Sequence, residues 1–115
     1  MSAVIVVPET GDFEYHVSHE NKVWIGSGLG RPKLEQRSAN YLVPFWVDGA
    51  QANRIYHILE ASTSEDGVTE IKLGNSFVLS EPWSDMGQHR RFEYKTLGDF
   101  GMVEIKPGLL IPHSP

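Results

Sequence analysis

Hydrophobic and polar positions alternate with a period of two in several short stretches, which are separated by glycine, proline, asparagine and aspartate. A period of two predicts strands, because successive side chains of a strand point to opposite faces of its sheet. In the stretch 68–73, for example, Thr69, Ile71 and Leu73 share one face and Val68 lies on the other. The repeated pattern predicts a mainly β fold with at least five strands and less helix than strand.

The stretch 41–59 organises the prediction, because its two apolar runs flank the polar segment 48–53. This order is typical of a strand, a turn and a second strand. Pro44 has no amide hydrogen to donate, so the first strand is expected to have an edge or a bulge there. Phe45 and Trp46 then point to opposite faces, one into the core and the other onto a surface or into a pocket. We expect this hairpin to be the central element of the fold.

Two further stretches give definite strand boundaries. The continuous run of apolar residues 3–7 predicts a strand buried on both faces, which Pro8 is expected to end. The pair 74–75, glycine and asparagine, predicts a turn between strand 68–73 and a separate strand 76–79.

Helix is predicted at two places only, and both segments are short. Residues 33–39 are expected to form one short helix. Residues 95–100 are expected to form one helical turn, with Thr96 as its N-cap and Asp99 as the partner in a capping box. The prolines of segment 107–115 predict an extended tail.

Composition places the chain among ordinary soluble proteins. Its 115 residues form one predicted domain, 1–115, which is long enough for a core of its own. The absence of cysteine excludes disulfides and thiolate zinc sites. No apolar run approaches the roughly 20 residues that span a bilayer, and the first residues lack the pattern of a signal peptide. We therefore expect a cytoplasmic protein that does not bind membranes.

The net charge of −5 disfavours unspecific binding to nucleic acid, whose affinity comes largely from attraction to phosphate. It leaves room for a local basic face, since Arg31, Lys33 and Arg37 lie close together and Arg90 and Arg91 are adjacent.

One order of elements carries a family resemblance across about residues 22–105. A tryptophan precedes a glycine-rich loop and a basic stretch, and the segments YLVPFWVDG, RIYHI, RRFEY and TLGDF follow. This order resembles the small PUA-like β-barrels, in particular their EVE and ASCH branches. Ala39-Asn40 stands where those domains usually have a Gly-Asp pair. The chain also looks like small proteins of mobile elements and environmental sequences that have no assigned function.

The resemblance implies a small PUA-like barrel with one or two short helices and a pocket for a nucleobase, often a modified or flipped one, or for an RNA segment. Such a pocket needs an aromatic wall and polar groups around it. We expect a non-catalytic binding domain for a nucleic-acid base or a small planar ligand, without a cofactor. The predicted ligand-binding residues are Trp24, Arg31, Trp46, Trp83, Arg90 and Arg91.

Two alternatives belong to other classes of function. Asp48, Glu70 and Lys72 follow the D…E-x-K order of metal-dependent nucleases, in which carboxylates hold Mg²⁺. The tripeptide recurs at 104–106, where it is typical of an exposed strand face. No serine, cysteine or histidine motif predicts catalysis or a metal site. The second alternative is assembly of a homodimer through exposed strand edges.

Overall fold

Strands make up most of the described chain, which confirms the mainly β prediction. The computed structural model describes residues 3–9, 15–18, 21–27, 31–46, 51–84 and 92–112, without the side chains at 8, 9, 15–18, 27, 31–33, 46 and 80. The strands are β1 (Ala3–Glu9), β2 (Tyr15–Ser18), β3 (Val23–Ser27), β4 (Ala39–Trp46), β5 (Ala52–Thr63), β6 (Val68–Trp83), β7 (Glu93–Thr96), β8 (Met102–Lys106) and β9 (Leu109–Pro112). The helices are α1 (Arg31–Gln36) and a 3-10 helix (Leu97–Phe100).

Seven of these strands form one mixed sheet in the order β2-β3-β6-β5-β4-β1-β7, and β8 pairs with β9 in a separate hairpin. β1 runs parallel to β4 and antiparallel to β7, while the remaining neighbours are antiparallel. The predicted hairpin of β4 and β5 is confirmed, and it lies in the middle of the sheet.

β1 is buried on both faces, as its run of β-branched residues predicts. Val4 and Val6 lie in one core cluster, and Ile5 and Val7 lie in the other. The strand does not end before Pro8, as predicted, but continues to Glu9. The parallel pairing with β4 extends over these last residues, so the neighbouring strand holds the chain extended beyond the proline.

The two faces of the sheet are covered in different ways. On the face that we call the hairpin side, Phe100 of the 3-10 helix, Met102 of β8 and Leu110 of β9 pack against the sheet. On the opposite face, which we call the curled side, Trp24 of β3 and Leu34 of α1 share a cluster with residues of β1, β4, β5 and β6.

The sheet curls strongly over this second face. β3 and β7 are five steps apart in the strand order, which in a flat sheet would separate them by about 24 Å. Yet the rings of Trp24, on β3, and Phe92, one residue before β7, lie 5.7 Å apart in an edge-to-face contact. The two ends of the sheet therefore approach each other, although β2 and β7 do not pair within the described residues.

The predicted turn at 74–75 is wrong, because β6 runs without a break from Val68 to Trp83. β5 pairs with β6 on both sides of this position and takes up the irregularity through register shifts. A Cβ at Gly74 would lie 2.8 Å from Cδ2 of Leu59, so a larger residue there would require the exposed side chain of Leu59 to shift. The alternation predicted for 68–73 is confirmed, with Thr69, Ile71 and Leu73 buried.

The last described residues also differ from the prediction. Instead of an extended tail, the chain turns through Pro107 and Gly108, and β9 then pairs with β8. Gly108 has φ +82°, a conformation that favours glycine.

Both predicted helical segments are present, with one shift of position. α1 begins at Arg31 rather than residue 33, because Pro32 is tolerated in the first turn of a helix, and it ends before Ala39, which belongs to β4. The 3-10 helix and its capping box between Thr96 and Asp99 are confirmed. Within the described ranges, no helix is long and apolar enough to cross a bilayer.

Candidate ligand-binding site

The structure does not bring the predicted tryptophans Trp24 and Trp83 together. Trp24 is completely buried in the cluster on the curled side, so no face of its ring is open to a ligand. Trp83 ends β6 and packs against the cluster on the hairpin side. A single pocket walled by both rings is therefore not formed.

The other predicted residues are described less fully. Arg31 begins α1, and Trp46 ends β4 one residue after the buried Phe45, but both side chains lie outside the description. Arg90 and Arg91 fall outside the described residues altogether. Their roles in binding stay predictions.

A cleft of about 430 Å³ lies beside Trp83, where the end of β6 meets the 3-10 helix. Its volume is within the range of about 300–1,000 Å³ that is usual for small-molecule sites. We call it the Trp83 cleft. It is lined by Glu81, Pro82, Trp83, Ser84, Asp99, Phe100, Gly101 and Pro112.

Ring contacts from the core hold the indole of Trp83 in place. Phe45 meets it edge to face, with ring centroids 5.6 Å apart, and Phe100 lies tilted at 4.9 Å. Phe45 is 2% exposed and Phe100 is 7% exposed, so both supports belong to the core. Trp83 itself is half-buried. An aromatic surface held in this way loses little conformational freedom when a planar ligand stacks on it.

The 3-10 helix is fixed by the capping box, and it brings Asp99 and Phe100 to the cleft. The backbone N–H of Thr96 donates to Oδ2 of Asp99 at 2.9 Å, and the N–H of Asp99 donates to Oγ1 of Thr96 at 3.3 Å. Gly101 then ends the helix in the left-handed conformation, with φ +68°. The hydrogen bonds that the carboxylate of Asp99 accepts in the described chain both go to Oδ2, which leaves Oδ1 for a ligand.

The charged side chains among the described lining residues are both acidic. Glu81 and Asp99 are exposed carboxylates, and none of the lining residues just named is lysine or arginine. Carboxylates accept hydrogen bonds and repel phosphate, so this lining favours neutral or cationic ligands with N–H donors on their edge.

Sequence reasoning missed Glu81, Asp99 and Phe100 as parts of this site. The local signal for Asp99 was present, because the capping box that holds it was predicted correctly. Its position next to Trp83 depends on how the 3-10 helix packs on the end of β6, and no local pattern contains that information.

The residues of the alternative nuclease site are only partly described. Glu70 and Lys72 are exposed on β6, and Nζ of Lys72 lies 3.7 Å from Oε2 of Glu60 on β5. Asp48 falls outside the described residues. Nowhere in the described chain do three or more histidine, aspartate or glutamate side chains lie together so that they could hold a metal ion.

Comparisons of this chain with protein-family models, with curated proteins and with solved structures found no match. The candidate site therefore depends on its own geometry and chemistry.

Proposed function

We propose that this chain is a non-catalytic binding domain that takes a planar, amino-bearing ring, such as a nucleobase or nucleoside, in the Trp83 cleft. The observation that supports it is a fixed indole surface beside two carboxylates, with no lysine or arginine among the described lining residues. The nucleobase is the ring that the resemblance to PUA-like domains implies.

Stacking on Trp83 supplies the first part of the binding free energy. Stacking of a base on an aromatic side chain contributes about 1–3 kcal/mol, and it tolerates different bases because each has a π face. Pro82 and Pro112 add rigid apolar walls to the cleft.

Hydrogen bonds to Glu81 and Asp99 supply the preference among rings. Carboxylates accept from exocyclic amino groups, as in protein contacts to N4 of cytosine. Cytidine, guanosine and adenosine carry such groups and uridine does not, so we expect uridine to bind least tightly. We expect a phosphate on the ligand to weaken binding, because these carboxylates repel it.

The test is calorimetric titration of the four nucleosides and their 5′-monophosphates at two salt concentrations. We expect amino-bearing nucleosides to bind more tightly than uridine and than their own monophosphates. Glu81→Gln should weaken their binding roughly 3- to 10-fold. Glu70→Gln is the matched control, because Glu70 is an exposed glutamate on the same strand, away from the cleft.

Trp83→Leu tests the stacking surface, with an expected loss of roughly 5- to 150-fold in affinity. Circular dichroism of this variant checks that it is folded. Absence of binding by every nucleoside would overturn the proposal. Tighter binding of monophosphates, abolished in Arg91→Gln, would instead support the predicted arginine rim.

A second candidate is self-assembly through the outer face of the β8–β9 hairpin. Val103 and Ile111 are directly paired across the hairpin, and both side chains are exposed. Ile105, 54% exposed, is also on β8. Sedimentation equilibrium of the wild type and of Ile111→Glu tests this candidate, which requires a dimer that the substitution dissociates.

A further inference from the structure

The ladder between β4 and β5 is short. Within the described residues, β4 pairs with β5 at Tyr41 with His57 and at Leu42 with Tyr56. Before Tyr41, Ala39 pairs with β1 on the other edge of β4 but with no described residue of β5. After His57, β5 continues in pairing with β6. Beyond the pair of Tyr41 and His57, each strand is held by its outer neighbour, and the two inner edges open onto one cleft.

A second cleft, of about 480 Å³, lies at this opening, which we call the β4–β5 gap. Ala39 and Asn40 line it from β4, and residues 58–61 line it from β5. Leu34 of α1, which is 4% exposed, contributes apolar surface from the core. Leu59 is 63% exposed and adds apolar surface at the rim.

The edges of two separated strands present backbone donors and acceptors, and an extended segment can pair with them. Addition of a strand at such an edge is a common way of binding peptides. The edge at 58–61 is four residues long, about 13 Å at 3.3 Å per residue. It therefore suits a segment of three to five residues.

Charge selects among such segments. Glu35 and Glu60 line the gap, and both are exposed. Lys72 lies 3.7 Å from Glu60 but is not part of the lining, and an exposed ion pair of this kind is weak. Among the described lining residues the charged side chains are these two carboxylates, and beside the apolar floor they complement a segment that carries both basic and apolar side chains.

We propose that the β4–β5 gap binds a short extended peptide segment of a partner protein, in which basic and apolar residues alternate. Main-chain hydrogen bonds hold the segment to the strand edges. Its apolar side chains lie against Leu34 and Leu59, and its basic side chains lie near Glu35 and Glu60. This site is separate from the Trp83 cleft and independent of nucleoside binding.

The test uses a blocked pentapeptide of alternating lysine and valine, titrated into the ¹⁵N-labelled full chain. We expect shifts of the amide signals at 39–40 and 58–61, slower hydrogen exchange there, and a Kd at or below about 1 mM. Glu35→Gln and Glu60→Gln should each weaken binding roughly two- to fivefold. Glu70→Gln should leave it unchanged.

Two control peptides make the result decisive. The same peptide with alternate backbone amides methylated should not bind, since it lacks the main-chain donors. The glutamate–valine peptide should bind much more weakly. Equal binding by either control, or shifts that stay away from the gap, would overturn the proposal. Shifts at the gap that depend on protein concentration without peptide would assign it to a second copy of the chain instead.

Discussion

Gly108 shows how one residue without a side chain sets the position of a whole hairpin. It lies in the turn between β8 and β9, with φ +82°. Its N–H donates to the hydroxyl of Tyr41 at 3.1 Å, and its carbonyl accepts from Nδ2 of Asn75 at 3.3 Å. The turn is thus attached to the middle of the large sheet. The side chain of His57 occupies the space where a Cβ would be.

We expect Gly108→Ala to destabilise the protein more than Gly67→Ala does. Both glycines have positive φ, at +82° and +85°, so both substitutions introduce backbone strain of about 1 kcal/mol. At Gly108, the new Cβ would also lie 2.8 Å from Nδ1 of His57, whereas nothing lies within 4 Å at Gly67. Urea denaturation of the two variants measures the difference.

The control is His57→Ala combined with Gly108→Ala. Removal of the imidazole should reduce the cost of the Gly108 substitution to about that of Gly67→Ala. Equal free energies of unfolding for the two single variants would show that the contact with His57 has no energetic weight.

Sequence alone could not have found these residue contacts. Tyr41 begins an apolar run of the sequence, which predicts burial but not the partner of its hydroxyl. That partner is Glu104, 63 positions away. The sequence predicts Trp24 as a ligand-binding residue next to the glycine-rich loop, but the curl of the sheet encloses its ring.

At the scale of elements, the 3-10 helix was predictable and β6 was not. The capping box is a local signal between Thr96 and Asp99, three residues apart. The continuity of β6 through Gly74 is set by the neighbouring strand β5, whose Leu59 lies against that glycine. Adjacent glycine and asparagine indicate a turn. Only the pairing of β6 with β5 on both sides of these residues shows that the strand continues.

The capping box predicts an effect of Thr96 on ligand binding. Thr96→Ala removes the acceptor for the N–H of Asp99 and should cost about 0.5–2 kcal/mol of stability. It should also weaken nucleoside binding, because Asp99 and Phe100 reach the Trp83 cleft from this helix. Thr96→Ser keeps a hydroxyl and should retain both properties. Calorimetry and urea denaturation of the two variants check this, and equal behaviour would contradict it.

At the scale of the whole molecule, Tyr41 joins the β8–β9 hairpin to the large sheet. It also makes the free energy of unfolding depend on pH in the alkaline range. Its hydroxyl donates to Oε2 of Glu104 at 2.5 Å. Burial, and then the hydrogen bond to Glu104, raise the pKa of Tyr41 from 10.0 to about 12. Between pH 10 and 12, the folded chain keeps a proton that the unfolded chain releases. The free energy of unfolding must therefore fall as the pH rises through this range.

We expect the free energy of unfolding to fall less between pH 10 and 12 in Tyr41→Phe, because phenylalanine has no hydroxyl proton to release. For two pKa units, the wild type should lose up to about 3 kcal/mol more than the variant between pH 10 and 12. At pH 8, the variant should be less stable by about 1–3 kcal/mol, because Glu104 and the N–H of Gly108 lose the hydroxyl of a buried partner. Urea denaturation across the pH range measures both effects.

Tyr94→Phe is the matched control. Burial also raises the pKa of Tyr94, but its buried hydroxyl has no hydrogen-bond partner in the described chain. Loss of that hydroxyl should therefore cost nothing at pH 8. Equal destabilisation of the two variants at pH 8 would show that the hydrogen bonds of Tyr41 contribute nothing.

The position of β1 in the sheet also determines when it can pair during synthesis of the chain. A ribosome makes β1 before every other described strand, yet its final neighbours are β4 and β7. Ala3 pairs with Ala39 on one side and with Thr96 on the other. Pairing between such distant positions is slow to form, because a long stretch of chain must first be brought together. The edge of β1 that pairs with β7 stays unpaired until the chain up to Thr96 has left the ribosome.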